Sequence, residues 1–78
     1  MVKLSYYGYM PVVLPTEIEV EPGQNLKELM THLLNERSVD TDEFFFENLI
    51  VVNGSRMEDD TLLNDGDVID IFPPAIMG

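Results

Sequence analysis

A chain of 78 residues, 45% of them apolar, can build one hydrophobic core and lies above the ~40-residue size below which a metal or disulfide is usually needed. It has no Cys, which excludes disulfide scaffolds, zinc ribbons, iron–sulfur sites and thiol nucleophiles, and leaves the redox compartment unread. Four Lys and Arg against fifteen Asp and Glu give a net charge of −11; that field repels phosphate backbones and anionic lipid surfaces, so neither nucleic acid nor membrane is an expected partner. The same charge either steers the domain onto a basic partner or only keeps a small protein soluble.

The first residues show no cationic segment followed by an apolar run, and no stretch approaches the ~20 apolar residues of a membrane span, so a cytoplasmic protein is expected. Residues 1–7 alternate Val2, Leu4 and Tyr6 against Lys3, Ser5 and Tyr7, the pattern of a half-buried strand. A turn region with Pro11 and Pro15 follows. Glu17-Ile18-Glu19-Val20-Glu21 then alternates more strictly, with Ile18 and Val20 inward, and completes an antiparallel hairpin. Its three outward acids read as solvated surface and not as a catalytic cluster.

Pro22-Gly23 breaks the strand, and Asn25 followed by Glu28 has capping-box spacing. Leu26, Leu29, Met30, Leu33 and Leu34 make a stripe that predicts a helix to Arg37, with its leucines on the sheet. His32 falls on the polar face with no acid or second His placed to orient it, so no catalytic or metal role is assigned to it. Residues 38–48 read as acidic and irregular around Phe44-Phe45-Phe46. Three consecutive aromatics cannot face one way, so one or two close the core and the remainder stays exposed.

Leu49-Ile50-Val51-Val52 is an apolar run of strand type, and Asn53-Gly54 signals a type I′ hairpin turn into Ser55-Arg56-Met57. Glu58-Asp59-Asp60 lacks the Gly-turned loop and closing Glu of a calcium site and reads as a charged turn. Thr61-Leu62-Leu63 is expected as a short helical turn or loop with both leucines on the core, and Asn64-Asp65-Gly66 as a second tight turn. Val68-Ile69-Asp70-Ile71-Phe72 alternates again, Ile69 and Ile71 inward, Val68, Asp70 and Phe72 outward. Pro73 and Pro74 lack the backbone donor a ladder needs, so the strand ends and Ala75, Ile76, Met77 and Gly78 leave extended. A terminal Gly on such an arm suits a carboxylate that enters a narrow site on another protein; an ordinary frayed terminus fits the same pattern.

This order of elements predicts an α+β domain of β-grasp, ubiquitin-like architecture over residues 1–74: a mixed sheet of four to five strands, the last beside the first, with one main helix across it. Residues 75–78 form the tail. Phe72 with the outward Val68 is expected to make an apolar docking spot at the root of that tail.

Val51-Val52-Asn53-Gly54, Asp65-Gly66-Asp67-Val68 and Phe72-Pro73-Pro74, with a glycine at the end, resemble the prokaryotic sulfur carriers of the ubiquitin-like fold along the whole chain. The opening Val2-Lys3-Leu4-Ser5-Tyr6-Tyr7-Gly8 and the Phe-Pro-Pro are more similar to the small subunit of molybdopterin synthase than to the shorter thiamine sulfur carrier. The resemblance implies a substrate and not an enzyme. Its Gly78 carboxylate would be adenylated by an E1-like activating enzyme and converted to a thiocarboxylate, which donates sulfur to a pterin precursor inside the large synthase subunit. Phe72, Pro73, Pro74, Ala75, Ile76, Met77 and Val68 would contact the partners; the chain itself would bind no cofactor and no metal, ATP being used by the activating enzyme. Met77 stands where the family has the first Gly of a Gly-Gly end. Either the native chain continues past Gly78 or this carrier has a bulkier penultimate residue. The alternatives to the molybdopterin role are a carrier for another sulfur transfer, such as thiamine synthesis, and a β-grasp interaction module whose tail has no chemistry.

Overall fold

In the computed structural model, which describes residues 1–7 and 14–73, the first and last strands lie side by side at the centre of a five-stranded sheet. The elements in chain order are β1 (Val2–Tyr6), β2 (Glu17–Ile18), β3 (Gln24–Asn25), α1 (Leu26–Glu36), α2 (Thr41–Glu47), β4 (Leu49–Val52), β5 (Ser55–Arg56), β6 (Leu62–Leu63) and β7 (Val68–Phe72). The main sheet runs β2-β1-β7-β4-β5, and β3 with β6 forms a separate two-stranded sheet. β1 and β7 are parallel, with Leu4 opposite Ile69 and Tyr6 opposite Ile71, whereas the other pairs are antiparallel. This is the mixed β-grasp sheet expected from the order of elements.

The alternation decides what each strand buries. Val2, Leu4, Ile50, Val52, Ile69 and Ile71 form the inner face and meet Leu26, Leu29, Met30, Leu33 and Leu34 of α1, with Leu14, Phe44 and Leu63 closing the core. No polar residue is buried among the described residues. α1 begins as the sequence predicts: the Asn25 side chain accepts a hydrogen bond from the Glu28 backbone N–H at 3.0 Å. No helix of the described residues is long and apolar enough to cross a membrane.

Three segments differ from expectation. Residues 38–48 are not irregular but hold α2. Asp40 caps it by accepting from the Glu43 N–H at 3.1 Å, and Asp42 and Glu43 lie in its first turn, where the helix dipole favours acids. Two helical turns are too few to show a period, and the aromatic triplet hides it: Phe44 is buried, Phe45 packs on the core margin and Phe46 is 91% exposed. Leu62 and Leu63 form not a helical turn but β6, paired with Asn25 and Gln24. Successive strand residues point to opposite faces, so only Leu63 enters the core and Leu62 is exposed. The acidic strand at 17–21 pairs through only Glu17 and Ile18, and Ile18 and Val20 are half-buried.

Two turns lock the register of β7. Asn53 and Gly54 adopt φ of 50° and 85°, the left-handed pair a type I′ turn needs. The Asn53 side chain accepts from the Val68 N–H at 2.9 Å and donates to Asp67 Oδ1 at 2.9 Å, while Asp67 Oδ2 accepts from the Asn64 N–H at 2.8 Å. The Met1 ammonium also pairs with Asp65, holding that carboxyl below its ordinary value, and the Gly66 N–H donates to the Met1 carbonyl at 2.8 Å. Because the folded-state value is depressed, this contribution is present above the ordinary carboxylate range and is lost as pH falls through the lowered one.

Asn53→Gly keeps the turn geometry and removes both side-chain bonds, leaving the Val68 N–H without its partner. Chemical denaturation should show a loss of about 1–3 kcal/mol. A midpoint equal to that of the parent would show that the link between the turns contributes nothing.

Candidate functional site

The helices cover one face of the sheet; the outward residues of β1, β7, β4 and β5 make up the other. The register lays them out in rows: Phe72 opposite Leu49, Asp70 opposite Ser5 and Val51, Val68 opposite Lys3, and Arg56 opposite Val51. Tyr7, Leu49, Val68 and Phe72 are the exposed large apolar side chains of this face, and Val51 is half-buried among them. A sheet face with exposed apolar side chains that no described element covers suits contact with another protein.

The row at the end of β7 is built around Phe72. The Tyr7 ring stacks on it with centroids 4.8 Å apart and planes 8° off parallel, and the Tyr7 hydroxyl donates to Asp70 Oδ1 at 3.1 Å. Tyr7 also closes the ladder, its N–H donating to the Ile71 carbonyl at 3.0 Å. One residue later Pro73 can donate nothing, so Phe72 is the last side chain fixed by the sheet and stands at the root of the tail.

The structure therefore places Phe72 and Val68 on the predicted face but not as one spot. Four steps along the strand set them about 13 Å apart, and Asp70 lies between. What joins Phe72 into a patch is Tyr7 and Leu49, which the sequence analysis did not single out. Tyr7 was legible as an outward position of the first alternating strand. Leu49 was not, because an unbroken Leu-Ile-Val-Val run shows no preferred face. Pro73 is half-buried, and the remaining tail residues named from sequence, Pro74, Ala75, Ile76, Met77 and Gly78, lie outside the described residues.

Elsewhere the polar groups are engaged at the surface. His32 does have an acid beside it: Nε2 lies 2.9 Å from Glu36 Oε1, one helical turn on, with both side chains exposed. The spacing of four residues in the sequence carried that signal. Asp59 of the charged turn pairs with Lys27 at 3.0 Å. Among the described residues no three His, Asp or Glu side chains converge as a metal set.

The family model described as "ThiS family" matches residues 10–76. Among solved structures, the chain is similar to a chain of the protein–protein complex of subunit 1 and 2 of molybdopterin-converting factor from Helicobacter pylori 26695, at 28% identity and a TM-score of 0.62, with 99% of this chain and 97% of that chain covered. No curated protein matches. A family match over residues 10–76 and a β-grasp likeness along nearly the whole of both chains agree, and the chain belongs to the ThiS family of ubiquitin-like sulfur carriers.

Proposed function

We propose that this carrier serves molybdopterin synthesis, with Gly78 as the atom-bearing end. The observation that carries the reading is the aromatic row of Tyr7 and Phe72 with Leu49 at the tail root, on a chain whose full length resembles a molybdopterin-converting factor subunit. A docking surface next to the reacting end lets a partner hold the folded domain while the tail reaches into its pocket. A carboxylate is a poor electrophile. In the proposed sequence, an oxygen of the Gly78 carboxylate attacks the α-phosphorus of ATP on an E1-like activating enzyme, pyrophosphate leaves, and sulfur at the sulfide level, as hydrosulfide, then adds to the acyl carbon, displaces AMP and loses its proton. The resulting thiocarboxylate donates its sulfur inside the large synthase subunit. The chain acts as substrate and not as enzyme, binds no cofactor, and works in the cytoplasm.

The second reading, a binding module without tail chemistry, is favoured by Met77, whose side chain would sit beside the reacting carbonyl. Intact mass of the protein purified from its own host separates the two. A chain ending at Gly78 with one oxygen replaced by sulfur supports the carrier, and an unmodified chain inert with ATP and activating enzyme supports the module. Deleting Gly78 is expected to abolish ATP-dependent activation and leave partner binding in place; activation that survives the deletion sinks the assignment. Phe72→Ala is expected to weaken binding to the large synthase subunit about tenfold or more, with the fold retained and the melting temperature lowered by only a few degrees through loss of the stack on Tyr7. Unchanged affinity by calorimetry would remove Phe72 from the docking surface.

A further inference from the structure

Asp70 is out of place on chemical grounds. It occupies the middle outward position of the central strand, half-buried, with Val68 and Phe72 on either side along β7, Val51 across from it on β4 and Ser5 across from it on β1, the Ser5 hydroxyl making no hydrogen bond to it. Strand positions of this kind favour β-branched or aromatic side chains, and Asp is depleted there. An ionised carboxylate has about four acceptor sites on its two oxygens. Oδ1 accepts from the Tyr7 hydroxyl at 3.1 Å, and among the described residues no cation pairs with Asp70. Lys3 and Arg56 share the face, but Lys3 lies opposite Val68, and Arg56 lies one strand further out, opposite Val51.

In water this costs little. Once a partner covers Tyr7, Phe72, Leu49 and Val68, water leaves the face, and a carboxylate left with one neutral donor becomes costly to bury. A wholly apolar partner surface would be rejected by that penalty, and one carrying a Lys or Arg at its centre would be accepted. Rejecting the wrong surface in this way is how a difference in affinity arises.

We infer that Asp70 is the specificity-determining residue of the docking face, selecting protein surfaces that set a cationic side chain in the middle of an apolar contact, with Tyr7 as the positioning residue that holds the carboxylate. This rests on the reading of the open sheet face as the docking surface. The occupant is a partner protein with a cation and not a second copy of this chain. A copy would bring its own Asp70 and its own charge of −11 against the first. Tyr7 serves twice, its ring fixing the Phe72 ring and its hydroxyl fixing the Asp70 rotamer, so less side-chain freedom remains to be lost on binding.

The test is calorimetric titration of the full chain with the large molybdopterin synthase subunit of the same host, at several salt concentrations. Asp70→Asn, which keeps the shape and removes the charge, should weaken binding about tenfold or more and flatten the salt dependence. Its melting temperature should stay the same or rise, so the loss is not unfolding. Asp70→Arg should abolish binding, and Tyr7→Phe, which keeps the stack, should weaken it a few-fold with the salt dependence retained. Glu43→Gln on α2 removes an equal charge away from the sheet and should cost no more than the small loss of one hydrated steering charge, well under the effect of Asp70→Asn. Asp70→Asn binding as well as the parent, or tighter, overturns the inference. If Phe72→Ala weakens binding in that same series, the docking surface stands and only the role of Asp70 falls; if Phe72→Ala is also silent, the docking surface itself is wrong and the inference falls with it.

Discussion

Because β1 and β7 pair in parallel at the centre of the sheet, both strands run toward the same end, and whatever follows each of them emerges there. A parallel pair needs a long crossover. Here the crossover contains every other described element, α1 lies across one face, and no described element covers the other. Parallel pairing also aligns the two strand ends: Tyr6 lies opposite Ile71, which brings Tyr7 against Phe72 at the end of β7. The row of Tyr7 and Phe72 is thus a consequence of how the sheet closes.

The same closure makes register decisive. A slip of one residue in β7 would turn Ile69 and Ile71 outward and drive Val68, Asp70 and Phe72 into the core. Burial of Ile69 and Ile71 opposes that slip from the inner side. The Asn53 side chain opposes it from the strand's beginning, tying the Val68 N–H and Asp67 into the neighbouring turn. Fold stability and the identity of the exposed face are therefore one problem, solved by the same contacts.

Sequence reasoning worked where a period or a local rule was complete. Two strict alternations placed the central strands and their faces, Asn25 with the leucine stripe placed α1, and Asn53-Gly54 placed the hairpin. It failed where the determining partner was distant. Leu62 points outward because β6 pairs with β3, some forty residues earlier in the chain, and Leu49 is exposed because its strand pairs with β7 and not because of its composition. α2 fell below the length at which periodicity shows, although Asp40 with the following acids carried a capping signal. The aromatic row could not be assembled from sequence at all, since Tyr7 and Phe72 meet only once the parallel pair exists.

The placement of charge follows from the same two-faced construction. Of the four cations, Lys3 and Arg56 lie on the open sheet face, Lys27 is paired with Asp59, and the Arg37 guanidinium donates to the Leu33 carbonyl. The helical layer carries exposed Glu28, Glu36, Asp42, Glu43 and Glu47. On the proposed reading, acids distributed there would attract a basic partner over a Debye length, roughly 8–10 Å at physiological salt, without having to shed water when the sheet face docks. Steering and contact are separated in space. On the proposed reading, long-range attraction comes from groups that stay hydrated, and the sheet face offers the partner its apolar side chains and the Asp70 carboxylate, together with Lys3 and Arg56. That arrangement avoids burying a crowd of like charges, an expense that a chain of net charge −11 would otherwise meet on almost any face it offered.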